Sequence, residues 1–267
     1  MRVLDKVFVV TGAGSGIGRE LSHCLLSRGA HVAGVDLDPT SVQTTGELAS
    51  QHAGQFAAFA ADVSQRAAVE ALPEQVLAHF GRVDGIINNA GIIQPFRRLN
   101  DLEYSIIERV LNVNLFGTLF TIKAFLPHLL RRPEAHIANV SSMGGFVPVP
   151  GQTMYGAAKA AVKLMTEGLA AELDGTKVRV SVVFPGAVAT NIVANSGLDV
   201  RQLANRSSGS KAMPASVAAE IIVRDIERDA ARIFVGKDAA FMDKLYRLSP
   251  SCAARAIASR MRALLPA

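Results

Sequence analysis

The feature that most constrains this chain is a regular alternation of short apolar runs with longer helical ones, with glycines crowded into the first junction. The apolar runs are Lys6–Thr11, His31–Asp36, Phe56–Asp62, Gly85–Asn88, His136–Ser142, Val178–Phe184 and Ile233–Gly236. Several are apolar nearly throughout, a pattern that suits strands covered on both faces. Helical spacing fills the gaps, over Gly16–Arg28, Pro39–His52, Gln65–Phe80, Leu102–Arg131, Tyr155–Leu173 and Pro214–Arg228. Alternating β and α segments predict an α/β, three-layer, doubly wound domain whose mostly parallel seven-stranded sheet is covered by helices on both faces. In such a sheet ligands gather at the carboxyl ends of the strands, so functional residues are sought there. No composition shift marks a linker and no repeat is present. Residues 1–267 are therefore expected to form one domain, with a substrate lid over 191–213 and a helical extension over 238–267.

Composition narrows the function classes. The net charge is +5, and five of the 28 basic residues (Lys244, Arg247, Arg255, Arg260, Arg262) lie in the last 24 positions, where no acidic residue occurs. Removing those five leaves 23 basic against 23 acidic, so the body is neutral and the tail basic. A nucleic-acid binder needs a broad basic face with interleaved aromatics, which is not seen. The two cysteines, Cys24 and Cys252, cannot make a disulfide framework, and their neighbours suggest no metal site. Cys24, in the apolar run Leu21–Leu26, reads as a buried reduced thiol. No secretory signal and no run of eighteen apolar residues is evident, and the expected compartment is the cytoplasm.

The segment Thr11-Gly12-Ala13-Gly14-Ser15-Gly16-Ile17-Gly18 follows the first strand and opens the first helix. Glycines there let the chain turn sharply and bring main-chain N–H groups to a pyrophosphate, at the positive end of a helix. The spacing is Gly-x-x-x-Gly-x-Gly rather than the commoner Gly-x-Gly-x-x-Gly. At the end of the next strand Asp36 can accept hydrogen bonds from the adenosine ribose hydroxyls. The same charge repels a 2′-phosphate, and neither Leu37 nor Ser15 compensates it, which favours NAD over NADP. Asp36 can also cap the turn that Asp38-Pro39 begins.

Tyr155 and Lys159 are four apart at the start of a helix and so share a face. Tyrosine's ordinary pKa near 10 is high for a base at neutral pH, and a neighbouring ammonium is expected to lower it. Ser142 ends a strand thirteen positions before Tyr155. A strand end and the next helix start both face the carboxyl edge.

With Asp62-Val63, Asn88-Asn89-Ala90-Gly91, Asn114, Ser142, the Tyr155–Lys159 pair and Pro185-Gly186 following the glycine-rich turn in order, the chain resembles the classical short-chain dehydrogenase/reductase family from residue 6 to about residue 190. The resemblance implies a Rossmann fold and an NAD-dependent interconversion of a small-molecule alcohol and carbonyl. It implies that Tyr155 transfers the proton, Ser142 holds the substrate oxygen and Asn114 keeps a water for a proton relay. Lys159 would bind the nicotinamide ribose and depress the Tyr155 pKa. It further implies a cofactor site made of Gly12, Gly14, Ser15, Gly16, Ile17, Gly18, Asp36, Asp62, Val63, Asn89, Ala90, Gly91, Pro185, Gly186, Val188 and Thr190, together with Tyr155 and Lys159. A homodimer or homotetramer is implied, with Leu102–Arg131 and Tyr155–Leu173 in contact.

Other features lie outside the resemblance. Met143, Phe146, Val149 and Met154, with Val147, are expected to wall the substrate site beside Ser142 and Tyr155, with Ile93, Gln94 and Phe96 contributing. That lining suits a lipophilic alcohol or ketone. The tail Ser251–Leu265 can be drawn as an amphipathic helix with Ile257, Met261 and Leu264 on one side. It can pack on its own domain or a partner, make weak contact with an anionic membrane surface, or fray. The histidines show no ligand spacing and are expected at helix ends or in solvent, as are Arg97-Arg98 and Arg131-Arg132. The alternative function is an NAD(H)-binding regulator without turnover; the intact Ser142, Tyr155, Lys159 and Asn114 set argues against it.

Overall fold

The computed structural model describes residues 1–52, 54–198 and 212–261. Strands β1 (Val7–Thr11), β2 (His31–Asp36), β3 (Phe56–Ala60), β4 (Gly85–Asn88), β5 (Ala135–Val140), β6 (Val178–Pro185) and β9 (Arg232–Val235) form one sheet in the order β3-β2-β1-β4-β5-β6-β9. Every pairing in it is parallel. The order reverses beside β1, which places a crevice between the carboxyl ends of β1 and β4. Two short strands, β7 (Val188–Ala189) and β8 (Met213–Pro214), pair separately.

Successive side chains alternate between the two faces. Phe8 and Val10 of β1 pack under the helices Gly16–Ser27 and Ala215–Glu227, with Leu21, Leu25, Ile222 and Ile226. Val7 and Val9 point the other way, with Ile86 and Ile137, onto Leu72, Val76, Phe125, Leu129 and Leu169. Both faces of the central strands are thus dry, which explains why those strands read as continuous apolar runs, while edge strand β3 is partly exposed.

Two helices are divided where one was expected. Gln65–Phe80 is Arg66–Glu70 followed by Leu72–Phe80, because Pro73 in the first turn of the second helix has no N–H to continue the first. Leu102–Arg131 is Tyr104–Leu111, a π-helical turn Asn112–Phe116, then Gly117–Leu129. In the π turn Gly117 N–H bonds to Asn112 O, and Asn114 Nδ2 donates to Val110 O at 2.9 Å, diverting a carbonyl from the regular ladder. The run Tyr104–Leu129 is long and apolar enough by composition to cross a membrane, with a mean hydropathy of 1.3 over 18 residues. Here Ile122, Phe125 and Leu129 lie in the core against the sheet.

After β9 come the helices Lys237–Leu248 and Pro250–Met261. Ala253 and Ile257 of the second pack against Val147 and Met242, so the apolar side of the tail faces its own chain. Leu264 and Arg262 lie outside the described residues, as do 199–211 of the expected lid. The ends of that lid are regular: Ile192–Asn195 is a short helix, and β8 pairs with β7.

One surface expectation is corrected at the amino edge of the sheet, and a helix-end charge there has a buried partner. His136 is 1% exposed inside β5, with Nε2 2.8 Å from Ser181 Oγ, so it is neither at a helix end nor in solvent. Arg132 Nε lies 2.7 Å from Asp84 Oδ1, whose other oxygen accepts from Val7 N–H at 2.9 Å. A buried carboxylate needs such a partner. Arg97, Arg98 and Arg131 are exposed.

Candidate active site

A cleft of about 710 Å³ opens at the carboxyl ends of the strands. Of the residues expected to hold a dinucleotide, all but Gly18 line it: Gly12, Gly14, Ser15, Gly16, Ile17, Asp36, Asp62, Val63, Asn89, Ala90, Gly91, Tyr155, Lys159, Pro185, Gly186, Val188 and Thr190. The volume is in the range of small-molecule and cofactor sites.

The glycine turn is shaped by close approach. Gly12 has φ +68°, and a Cβ there would sit 3.0 Å from Ala90 Cα. A Cβ at Gly14 would sit 2.9 Å from Asp36 Oδ2, the oxygen that accepts from Gly14 N–H at 2.8 Å. Asp36 is thereby pinned at the cleft edge beside exposed Leu37. Gly18 lies under the turn, where a side chain would overlap the Gly12 carbonyl. Arg19 braces the turn from below, through Gly14 O and through Thr45 Oγ1 at 3.1 Å.

The floor of the cleft is fastened by buried polar bonds. Thr11 Oγ1 accepts from Asn89 N–H and Ala90 N–H, each at 3.0 Å, and Asn89 Nδ2 donates to Thr11 O at 3.0 Å. Asn88 Nδ2 donates to Asn139 Oδ1 at 2.8 Å, and Asn139 Nδ2 to Thr166 Oγ1 at 3.0 Å. That ladder ties β4 to β5 and β5 to the helix Thr153–Glu172, each bond contributing about 1 kcal/mol. Ser141 Oγ donates to Lys159 O at 2.7 Å and Lys159 Nζ to Val140 O at 2.8 Å, which sets the strand end bearing Ser142 against the helix bearing Tyr155.

Ser142, Tyr155 and Lys159 all face the cleft. Burial raises the Tyr155 hydroxyl above its ordinary value, with a hydrogen bond from Ser142 pulling the other way. Burial lowers Lys159 to about 8. Desolvation is the largest influence on Tyr155 and acts opposite to the expected depression by Lys159. Asn114 is fully buried behind the cleft wall. Its Nδ2 donates to Ile92 O at 2.9 Å and its Oδ1 accepts from Ile92 N–H at 3.3 Å. A Cβ at Gly91 would lie 2.8 Å from Asn114 Oδ1 and 3.3 Å from Lys159 Nζ, so both groups border Gly91.

The expected substrate wall is only partly assembled here. Ile93 lines the cleft with Ile92 and Ile192. Met143 and Phe146 pack toward the C-terminal helices, with the Phe146 ring 5.4 Å from that of Phe184, whereas Val149 also stands near Ser142 and Tyr155, since a Cβ at Gly144 would lie 3.5 Å from Ser142 Oγ, 3.6 Å from Tyr155 Cε1 and 3.8 Å from Val149 Cγ2. Met154 is half-buried at the helix start, and Gln94 is fully buried beneath it. Arg109, Val113 and Asn195 also line the cleft, and Asn195 Nδ2 donates to Ser15 Oγ at 2.8 Å. Nothing in their spacing singles them out.

Residues 6–201 match the family model described as short chain dehydrogenase. The chain belongs to the short-chain dehydrogenase/reductase family. It is 37% identical over 268 residues to a candidate oxidoreductase, SadH, of Mycobacterium tuberculosis (strain ATCC 25618 / H37Rv), covering 98% of this chain and 97% of that protein. Among solved structures it is similar to a short-chain dehydrogenase/reductase from Burkholderia phymatum in complex with NAD, with a TM-score of 0.85, 26% identity and coverage of 94% and 96%. It is also similar to a 3-ketoacyl-(acyl-carrier-protein) reductase from Brucella melitensis complexed with NADH, with a TM-score of 0.77, 28% identity and coverage of 87% and 97%. The chain is thus an oxidoreductase of this family, with a parallel seven-stranded Rossmann-like sheet.

Proposed function

We propose that this oxidoreductase interconverts a secondary alcohol and a ketone or aldehyde, with NAD as its cofactor and Tyr155 as the proton-transfer group. The observation that carries the proposal is the convergence of Tyr155, Ser142 and Lys159 on the cleft that the glycine turn and Asp36 close. The cleft fits a dinucleotide: its glycine turn leaves main-chain N–H groups open at the start of a helix, and Asp36 on the cleft lining would accept from ribose hydroxyls. When bound, the nicotinamide supplies the hydride acceptor or donor. Every other task falls to this chain. Ser142 holds the substrate oxygen beside the Tyr155 hydroxyl. In reduction Tyr155 gives its proton to that oxygen; in oxidation its phenolate takes the proton back. Lys159 holds the ribose and supports the phenolate, and Asn114 completes the proton path. Ile92, Ile93 and Ile192 around the cleft suit a lipophilic substrate.

Cofactor choice tests the role of Asp36. A carboxylate facing a 2′-phosphate is repelled by about 2–3 kcal/mol at an effective dielectric near 20. The wild type is expected to use NAD about 10²-fold better than NADP in kcat/KM. Asp36→Ala combined with Leu37→Arg is expected to reverse that order, read from initial rates with each cofactor. Equal use of both by the wild type would contradict the assignment.

The assembly is expected to be a homodimer or homotetramer, joined through the helices around 102–131 and 155–173. Leu164 is 68% exposed and Phe116 40% exposed on those elements, and Phe116 stacks on Phe120. Sedimentation at micromolar concentration should show no predominant monomer; a clean monomer would defeat this assignment. The protein is expected to work in the cytoplasm on a small molecule, with no nucleic-acid partner.

A further inference from the structure

The helix that carries Tyr155 begins without a cap of its own. Gln152 stands at its N-cap position, yet its side chain makes no capping bond. The first turn of any helix leaves backbone N–H groups without partners, and in a buried setting they must find acceptors. Here the acceptor comes from 60 residues away. Gln94 is fully buried, and its Oε1 accepts from Met154 N–H at 2.8 Å and from Tyr155 N–H at 3.0 Å. Two N–H donors on one atom fix which end of the carboxamide is oxygen. The other end is used as well: Gln94 Nε2 donates to Gly151 O at 3.0 Å. Gln152 then closes the clamp, its Nε2 donating to Gln94 O at 2.7 Å.

The loop that delivers Gln94 is itself held. Ile92 is bound through both its N–H and its carbonyl by Asn114, and Ile93 N–H donates to Ser196 Oγ at 2.9 Å. Asn114, the loop 92–94 and the first turn of the Tyr155 helix therefore form one hydrogen-bonded chain. Gln94 does not line the cleft, and both ends of its amide are engaged within the protein, Oε1 by Met154 and Tyr155 N–H and Nε2 by Gly151 O.

We propose that Gln94 is a positioning residue for Tyr155: its side chain caps the catalytic helix from the loop that follows β4 and fixes the height and direction of the tyrosine hydroxyl over the cleft. This rests on the dehydrogenase reading of Tyr155. Because the cap bonds the backbone of Tyr155 itself, its loss shifts the reacting hydroxyl and leaves the glycine turn and Asp36 untouched. Misplacing a reacting group by an ångström lowers turnover by up to about 10²-fold.

The test compares Gln94→Met, which keeps the volume and removes the acceptor, with Gln94→Glu, which keeps an acceptor oxygen at a helix N-terminus where a carboxylate is favourable. Two readouts are taken on the full chain. The first is amide hydrogen exchange at Met154 and Tyr155, which needs no turnover. The second is kcat together with KM for NAD. In Gln94→Met exchange at both amides should rise about tenfold or more. Its kcat should fall about 10–100-fold while KM for NAD stays within about twofold. Gln94→Glu should restore slow exchange and bring kcat back to within about fivefold of wild type. Unchanged exchange in Gln94→Met would overturn the proposal, as would kcat and NAD binding falling together in both variants. If Gln94→Met does not fold, Gln94→Glu decides alone: slow exchange with near-normal kcat supports the cap, and fast exchange overturns it. A wild type without turnover would sink the dehydrogenase reading, while the exchange comparison would still decide the cap.

Discussion

Replacing Tyr155 by Phe is expected to lower kcat by about 10³-fold, within the 10²–10⁴ range of general acid–base catalysis, and to leave cofactor affinity within about threefold. The substitution removes one oxygen from a site otherwise unchanged: Ser142, Lys159 and the glycine turn keep their places. The pH profile carries a second signature. Burial holds the Tyr155 hydroxyl above its ordinary value, so it is protonated throughout the range from pH 6 to 8. Carbonyl reduction uses that protonated form and should be nearly flat across this window. Alcohol oxidation uses the phenolate and should rise about tenfold per pH unit over the same window. In the Phe variant the slope of oxidation should vanish with the rate. Stopped-flow absorbance of the reduced cofactor, in both directions at pH 6, 7 and 8, checks both parts. Retention of more than a tenth of the wild-type rate would contradict the role of Tyr155.

Lys159→Met should separate stability from activity. Lys159 is 3% exposed, has the carbonyl of Val140 as its hydrogen-bond acceptor, and is lowered to about 8 by burial from an ordinary value of 10.5. A lysine whose folded pKa lies below its unfolded one opposes folding while it is charged. The penalty is fully present below pH 8 and is relieved as pH rises from about 8 to 10.5, because there the unfolded chain binds the extra proton. At neutral pH that amounts to about 3 kcal/mol. Methionine removes the charge and keeps the packing, at the loss of the donor to Val140 O. A net gain of about 1–2 kcal/mol, or a few degrees in Tm, is expected at pH 7. The gain should shrink toward pH 10. Turnover should fall more than about 100-fold, since the ribose loses its partner and the phenolate its nearby positive charge. Thermal melts at pH 7 and 9.5 beside initial rates check this; a destabilised variant at pH 7 would contradict the burial argument. Sites that function against their own stability behave in this way.

Much of this was readable from residue order because the signals are local. His31–Asp36 and Gly85–Asn88 are strands with those bounds, since runs of apolar residues between turn residues have few other uses. The glycine turn, Asp36, Ser142, Tyr155 and Lys159 meet because β→α junctions of a parallel sheet all open on one edge. What escaped depends on partners distant in the chain. The π turn at Asn112–Phe116 comes from a side chain competing for Val110 O, which leaves no periodic trace. Phe146 turns toward Phe184 and Tyr246 because helices some 90 residues later offer it a second core. His136 is drawn inward by Ser181, a polar partner on another strand. Gln94 looked like a candidate for the substrate wall; only its bonds to Met154, Tyr155 and Gly151 reveal the cap.

The most direct test of the central claim is transfer of the carbinol hydrogen itself. A panel of secondary alcohols of rising size, each deuterated at the carbinol carbon, is incubated with the protein and NAD, and the reduced cofactor is analysed by mass spectrometry. One deuterium is expected in each molecule of reduced cofactor, formed by the wild type and not by the Tyr155→Phe variant. Tight NAD binding with no reduced cofactor from any alcohol, and no reverse reaction with the matching ketones, would contradict it and favour a dinucleotide-binding regulator.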